Sequence, residues 1–240
     1  MAGTFEAPEV VQEEVDVLLI GGGMACCGTA YEIMRWAEAL KAETGQELKI
    51  KLVDKAAMDR SGAVAQGLSA INTYIGDKQD PADYARMVSN DLMGITRDDL
   101  AYDLGRNVDD SVHLFEEWGL PIWKTDAEGV RHDGAEAQKE GLPALKDGGQ
   151  PVRSGKWQIM INGESYKWIV AEAAKKALGL DRIQERVFIV KLINDKNDPT
   201  RIAGAVGFSV REHKLYVYKF KACLLACGGA VNVFRPRSVG

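Results

Sequence analysis

The sequence lacks a long hydrophobic run, a signal-like start and any excess of positive charge. No apolar stretch approaches the roughly 20 residues that cross a bilayer, and residues 1–14 are acidic and carry no apolar core. The formal net charge of −5 argues against a general nucleic-acid or membrane-surface partner, but it leaves a local anion site open. The sequence therefore predicts a cytoplasmic protein with no transmembrane segment and no nucleic-acid partner, in which residues 1–14 form an N-terminal tail.

Cysteine is also scarce, and its spacing is unlike that of metal sites. The four cysteines are Cys26, Cys27, Cys223 and Cys227. None forms a C-x-x-C pair, and no group of Cys and His has metal-ligand spacing. We predict no metal ligands in this chain and buried, reduced thiols at all four positions, with a disulfide or redox pair as the alternative.

The strongest motif in the chain is VDVLLIGGGMACCG, at residues 15–28. A short apolar run, the expected buried strand, leads into glycines and then into an amphipathic helix, which is the layout of a dinucleotide-binding βαβ unit. Gly21 lets the chain turn off the strand, and Gly23 lets backbone amides approach a pyrophosphate at the start of the helix near Met24. The third glycine position of this fingerprint is Cys26, which is small enough for the motif to survive.

An acidic residue follows the second predicted strand. Residues 48–53 alternate as a strand does, and Asp54 comes directly after them. In this fingerprint an acidic residue at the end of the second strand binds the ribose hydroxyls. The spacing from the glycines is longer than the usual ~20 residues because the first helix is long. A helix N-cap or a surface carboxylate is the alternative role for Asp54.

Three features favour FAD over NAD as the nucleotide. A segment of small residues, 61–72, follows the second strand and suits a backbone that lies against a flat cofactor. The last quarter predicts an antiparallel meander with strands at 187–193, 202–210 and 215–220. A final apolar strand at 222–226 then ends in Gly228 and Gly229. We therefore predict an α/β, Rossmann-like FAD-binding domain over residues 15–240, with a parallel sheet and an inserted antiparallel β-meander.

Several long strings resemble one group of flavoproteins. The strings GGGMACCGTAYE, VAQGLSAINTYIG, RHDGAEAQKEG, WQIMINGESYK, GFSVREHKLYVYKFKA and GGAVNVFRPRS are similar to those of adenylylsulfate (APS) reductase alpha subunits. These subunits form a branch of the superfamily of fumarate reductases, succinate dehydrogenases and L-aspartate oxidases. The resemblance runs from about Val15 to the last residue. It also implies a capping domain and a returning C-terminal segment, for which the remaining residues leave no room, so we expect the N-terminal part of a longer subunit that is inactive alone.

The resemblance implies that FAD is held without a covalent bond. Fumarate reductase relatives often carry a His that bonds to the flavin, and Gly62 stands in that stretch here. The pyrophosphate contacts fall on the glycine turn, the ribose contacts on the end of the second strand, and the flavin and adenine contacts on later segments. The predicted cofactor residues are Gly21, Gly23, Met24, Ala25, Cys26, Asp54, Lys55, Ser61, Gly62, Ala63, Gln66, Gly67, Leu68, Ser69, Val187, Phe188, Ala226, Cys227, Gly228 and Gly229.

The implied chemistry interconverts APS with sulfite and AMP through a flavin N5–sulfite adduct. Asn72 matches the active-site Asn of this family, with a local turn as the alternative role. Glu136 is the candidate active-site carboxylate, on a looser match within the long polar stretch 122–151. Arg131 and His132 are neighbours that face either substrate or solvent. Arg235 and Arg237 meet either anions or solvent.

The resemblance also implies a redox partner. No cysteine set in this chain suits an iron–sulfur cluster, so the family implies a ferredoxin-like beta subunit with two 4Fe–4S clusters, in a heterodimer. Two rival functions stay open: a fumarate reductase or L-aspartate oxidase type of oxidoreductase, and a non-catalytic nucleotide-binding module. The physiological direction, sulfate reduction or sulfur oxidation, depends on the redox partners of the cell.

Overall fold

The computed structural model describes residues 6–75 and 80–229, and these form two compact units. Unit 1 takes the residues up to Ala65 and those from Val170 onward, and unit 2 takes Gln66–Ile169. The sequence predicts one domain over 15–240, whereas the chain forms unit 1 from its two ends and unit 2 from its middle. Unit 1 contains one sheet, unit 2 contains two, and each unit has its own buried residues.

Unit 1 is built on a six-stranded sheet with the order β10-β11-β12-β1-β2-β9. Strands β12, β1, β2 and β9 run parallel, and β10, β11 and β12 form an antiparallel meander. The predicted combination of a parallel sheet with an inserted meander is thus confirmed. Its elements are β1 (Glu9–Ile20), α1 (Met24–Thr44), β2 (Ile50–Asp54), the end of α6 (Gly163–Leu178), β9 (Ile183–Glu185), β10 (Val187–Asn194), β11 (Ile202–Ser209) and β12 (Lys214–Leu225).

Two strand boundaries differ from the sequence prediction. Strand β1 begins at Glu9, so Glu9–Glu14 of the predicted tail are strand residues that pair in parallel with β12. Four of the six residues in Glu9–Glu14 are polar. The strand was therefore not predicted, because backbone pairing with β12 does not require an apolar pattern. The predicted strand at 222–226 is also not separate, since β12 runs unbroken through Lys214–Leu225. One strand therefore closes the meander and also pairs with β1.

The core of unit 1 lies on the sheet and under the first helix. Leu18 and Leu19 of β1 and Leu52 of β2 are fully buried. Helix α1 buries Cys26, Cys27, Ala30 and Ala37, which are small residues that let a helix pack closely on strands. The helix is capped by Gly45, which has a φ of 74° and donates its backbone N–H to Lys41 O.

Unit 2 contains short strands and helices in place of one large sheet. Its two three-stranded sheets have the orders β3-β8-β7 and β5-β4-β6. Its elements are β3 (Ala70–Asn72), α2 (Pro81–Asp91), α3 (Asp98–Gly105), α4 (Val108–Glu117), β4 (Lys124–Thr125), β5 (Arg131–His132), α5 (Gly134–Lys139), β6 (Gln150–Pro151), β7 (Arg153–Gly155), β8 (Gln158–Met160) and the start of α6.

Aromatic rings and an ordered polar segment hold unit 2 together. Tyr74, Tyr84 and Trp157 meet with ring centroids 6.1–6.3 Å apart. The long polar stretch 122–151, for which the sequence predicts no helix or strand, contains β4, β5, α5 and β6. These elements are too short to show a period in sequence, since two-residue strands carry no alternation.

Within the described residues, no helix has the length and apolarity needed to cross a membrane.

Candidate functional site

Three neighbouring strand ends meet at the predicted phosphate turn of unit 1. The Gly21 N–H donates to Val53 O at 2.8 Å, which ties the turn after β1 to β2. The Ala226 N–H donates to Ile20 O at 2.9 Å, which ties the end of β12 to β1. Because β12, β1 and β2 are parallel, these are all carboxyl ends, and ligands of open α/β sheets bind at that edge.

Backbone approaches at this edge leave no room for side chains. Gly21 has a φ of +113°, and a Cβ there would lie 2.3 Å from Ala226 O. Gly62 has a φ of +85°, and its Cβ would lie 2.9 Å from the Cα of Gly23. The predicted glycines 21, 23 and 62 therefore leave the backbone of unit 1 bare at this edge. We call these three residues the glycine surface.

The first helix begins at this surface without a capping side chain. Gly23 is the N-cap of α1, it makes no side-chain cap hydrogen bond, and the first turn contains no acidic residue. The helix then begins with Met24 and Ala25, and the Cys27 N–H donates back to Gly23 O at 3.0 Å. A helix N-terminus carries partial positive charge from its first amides, so this end of α1 suits a phosphate.

Asp54 is buried beside the glycine turn with an unused oxygen. The residue is 4% exposed, and Oδ2 has no hydrogen-bond partner. A Cβ on Gly22 would lie 2.7 Å from that oxygen. A buried acceptor without a partner costs roughly 1–3 kcal/mol. A ribose hydroxyl would supply the missing donor, whereas a surface carboxylate or a helix N-cap is excluded by the burial and the position at the end of β2.

Lys55 and Phe188 meet on the same side of unit 1. The Lys55 Nζ lies 5.5 Å from the centroid of the Phe188 ring, which is cation–π range. Phe188 is 41% exposed, while Val187 is buried at the start of β10. Val187 and Phe188, the two predicted adenine neighbours, therefore lie near the end of β2.

The four thiols differ in exposure. All are free; Cys26 and Cys27 are buried, Cys223 is half-buried, and Cys227 is exposed. The prediction of four buried thiols is thus wrong for Cys227, because β12 ends at Leu225 and leaves the next residues outside the sheet, and it is met only in part by the half-buried Cys223. Burial, with smaller effects of neighbouring thiols, raises the pKa of Cys26 to about 12, so this group stays a neutral thiol that packs the helix on the strands.

The remaining predicted residues fall in other positions. Ser61 is buried, whereas Ala63, Gly228 and Gly229 are exposed in unit 1. In unit 2, Asn72 ends β3 opposite Gln158. Glu136 lies in the first turn of α5, where its N–H donates to Asp133 Oδ1. Residues 66–69 are exposed in unit 2. The roles of Asn72 and Glu136 stay predictions. Arg235 and Arg237 lie outside the described residues.

His132 is held between two carboxylates in unit 2. Its Nε2 lies 2.8 Å from Asp126 Oδ2, and its Nδ1 lies 3.0 Å from Glu140 Oε2. Only the imidazolium offers a donor to both. The Asp126 hydrogen bond, with help from the charge of Glu140 and against partial burial, raises the pKa of His132.

We expect NMR titration to give His132 a pKa above the ordinary ~6.5. Because the folded pKa is raised, the contribution of this group to stability is full below the unfolded pKa and disappears as the pH rises through the folded pKa. Asp126→Asn should lower the His132 pKa more than Glu140→Gln does. A His132 that titrates at or below its ordinary pKa would contradict this arrangement.

Three residues in or beside the candidate site were missed in the sequence. Gly22 is needed against Asp54, and its signal was its place as the middle glycine of GGG. Glu185 and Lys175 contact the segment before Gly62. Glu185 carries a weak signal as a charged residue at a strand end, whereas Lys175 on α6 is 116 residues from its partner Asp59 and gives none.

The chain is similar to known proteins over nearly all of its length. No protein-family model matches the chain. The alpha subunit of the adenylylsulfate reductase of Megalodesulfovibrio gigas is 63% identical over 233 residues, which are 97% of this chain and 34% of that subunit. The chain thus spans about a third of the length of the curated relative it matches.

Solved structures agree in fold. An adenosine-5-phosphosulfate reductase in complex with sulfite, described as a covalent adduct, is 52% identical, with a TM-score of 0.78 over 97% of this chain and 33% of that one. The quinol fumarate reductase of E. coli is 18% identical, with a TM-score of 0.61 over 95% of this chain and 34% of that one, and this likeness shows the fold alone. The resemblance found in the sequence is therefore confirmed: the chain is similar over nearly all its length to about one third of an adenylylsulfate reductase alpha subunit and has the fold of the fumarate reductase superfamily.

Proposed function

We propose that this chain is part of the FAD-binding region of an adenylylsulfate reductase, which interconverts APS with sulfite and AMP. The observation that carries the proposal is the combination of a bare glycine surface with the buried, unpartnered Oδ2 of Asp54 at the carboxyl ends of β1 and β2. The 63% identity to the alpha subunit of such an enzyme selects the reaction within the superfamily.

The residues of unit 1 fit a non-covalently held FAD. Gly21, Gly23 and the first amides of α1 would receive the pyrophosphate, and Asp54 would accept from the ribose hydroxyls. Gly62 has no side chain that could bond to a flavin, which supports non-covalent binding. When bound, the flavin supplies the redox centre for the sulfur chemistry.

The protein's own groups would bind and orient the reactants. Asn72 would donate its amide to sulfite oxygens without adding charge, and Glu136 would act as the active-site carboxylate. Removal of water from the site strengthens such interactions. An iron–sulfur beta subunit with two 4Fe–4S clusters would exchange electrons with the flavin. The heterodimer, the cytoplasmic location and the assignment of both units to one FAD-binding domain are proposals of the same kind.

Asp54→Ala should weaken FAD binding without unfolding the protein. A hydrogen bond to a charged group contributes about 1.5–3 kcal/mol, so we expect the dissociation constant to rise about 10- to 100-fold. The cofactor-free protein should lose little stability, because the variant also removes a buried acceptor that has no partner. Flavin fluorescence titration measures the first effect and urea denaturation the second.

The control for Asp54 is the exposed carboxylate of Glu47, whose side chain is 58% exposed. Glu47→Ala should leave the FAD dissociation constant unchanged. Equal FAD affinity in Asp54→Ala and in the unaltered protein would remove Asp54 from the site.

The reaction is tested on the full-length protein made together with its partner. Sulfite should bleach the flavin absorbance, and AMP should make sulfite reduce an artificial electron acceptor. Reoxidation of the reduced flavin by fumarate, without a response to sulfite and AMP, would favour the rival fumarate reductase or aspartate oxidase function. A preparation without flavin would favour a non-catalytic module.

A further inference from the structure

Residues 58–62 connect β2 to the glycine surface, and we call them the 58–62 segment. It begins with a 3-10 helix, Met58–Arg60, in which the Ser61 N–H donates to Met58 O at 3.4 Å. It ends at Gly62, whose backbone lies against Gly23. The position of Gly62 therefore depends on what holds Met58 and Asp59.

Glu185 holds the start of this segment. Its Oε1 accepts the Met58 N–H at 2.7 Å, and the Met58 side chain is fully buried. Glu185 is in register with Asp54 across the parallel pair of β2 and β9, so it stands at the same sheet edge as the ribose carboxylate. The next residue, Arg186, has a φ of 64°. A non-glycine residue there is strained and is typical of a chain held by its surroundings.

Lys175 holds the segment through Asp59. Its Nζ lies 2.5 Å from Asp59 Oδ1 and 3.0 Å from Glu172 Oε1, and its side chain is 17% exposed. Burial alone lowers the pKa of Lys175, but the hydrogen bonds to Asp59 and Glu172 outweigh burial and raise it. The ammonium therefore stays charged and joins α6 to the segment.

We propose that Glu185 and Lys175 are positioning residues of the FAD site, which fix the 58–62 segment at two successive residues and so keep Gly62 against Gly23. The inference rests on the proposed FAD site. A backbone surface fixed before binding does not have to be ordered when the ligand arrives, so it binds more tightly. Neither side chain needs to touch the cofactor for this effect.

The test is FAD titration of the full-length protein carrying Glu185→Ala or Lys175→Met. We expect each dissociation constant to rise roughly tenfold or more, in line with the loss of a charge-assisted hydrogen bond. The visible circular dichroism of the bound flavin should change too, because the backbone around it is less fixed. Glu185→Gln keeps an oxygen that accepts the Met58 N–H, and Lys175→Arg keeps a donor, so both should retain binding within about threefold.

The matched control is Glu172→Ala, which removes a partner of Lys175 on the same helix but leaves the 58–62 segment untouched. Its FAD affinity should stay unchanged. The inference is overturned if Glu185→Ala and Lys175→Met bind FAD as the unaltered protein does, or if Glu172→Ala weakens binding equally. If Glu185→Ala does not fold, Asp59→Asn, which weakens the contact with Lys175, replaces it in the same assay. Weaker FAD binding would support the inference, and unchanged FAD binding would overturn it. Failure of the unaltered protein to bind FAD would overturn the proposed function itself.

Discussion

Gly21→Ala is expected to abolish FAD binding and to lower the free energy of unfolding by about 3–5 kcal/mol. Two costs combine at this position. The φ of +113° is one that L residues rarely adopt, and the added Cβ would lie 2.3 Å from the backbone oxygen of Ala226. Because a backbone carbonyl cannot rotate away as a side chain can, β1 and the end of β12 would have to separate. Urea denaturation of the cofactor-free protein and flavin fluorescence titration measure the two effects.

Substitutions at two other glycines measure the cost of backbone strain apart from the cost of steric overlap. Gly45 also has a positive φ, +74°, but a Cβ there meets nothing within 4 Å. Gly45→Ala should therefore cost only about 1 kcal/mol and leave FAD binding intact. Gly28 lies inside α1 with open space around it, and Gly28→Ala should stabilise the helix by up to about 1 kcal/mol. A Gly21→Ala protein that is no less stable than Gly45→Ala would show that the close approach to Ala226 is absent.

Lys124→Met is expected to destabilise the protein by about 3 kcal/mol. The Lys124 Nζ forms an ion pair with Glu116, and it donates to Pro143 O at 2.9 Å. Only 10% of the lysine side chain and 17% of the glutamate side chain are exposed. Glu116 Oε2 also accepts the Leu145 N–H at 2.8 Å. Loss of the lysine would leave a carboxylate without its counter-charge in a low-dielectric region, which thermal and urea denaturation should detect.

A neighbouring surface pair provides the control for Lys124. Lys146 and Glu117 lie 3.4 Å apart, with about half of each side chain exposed (52% and 50%). Lys146→Ala should therefore change stability by less than about 0.5 kcal/mol. The double variant Lys124→Met and Glu116→Leu should be more stable than Lys124→Met alone, because no unpaired charge is left. Equal stability losses for Lys124→Met and Lys146→Ala would show that the inner pair is as exposed to water as the outer one.

Much of unit 1 could be predicted because its signals are local. The apolar run before Gly21 and the alternating residues of the meander each carry their pattern within ten residues, and both are present in the structure. The strand residues Glu9–Glu14, which are four polar residues and two valines, escaped prediction, since their pairing with β12 involves residues about 200 positions away. The short elements of 122–151 escaped for a different reason, because one or two residues of strand have no period.

In the candidate site, too, local sequence signals could be predicted and long-range contacts could not. Gly21, Gly23 and Asp54 could be named from the dinucleotide-binding motif, and Gly62 from the small-residue segment and the family resemblance. That Asp54 is buried with an unused oxygen could not, because burial depends on Gly22 and on what packs around β2.

The sequence by itself determined the glycine turn between strand and helix and the flavoprotein resemblance, because the geometry of such a turn is set by the residues in it. Only the tertiary structure decided which partners meet there: Gly62 against Gly23, Glu185 on the Met58 amide, and Lys175 on Asp59. These contacts join residues up to 127 positions apart. Hydrogen bonds and close approaches over such separations follow from sheet register and helix packing, which no local pattern contains.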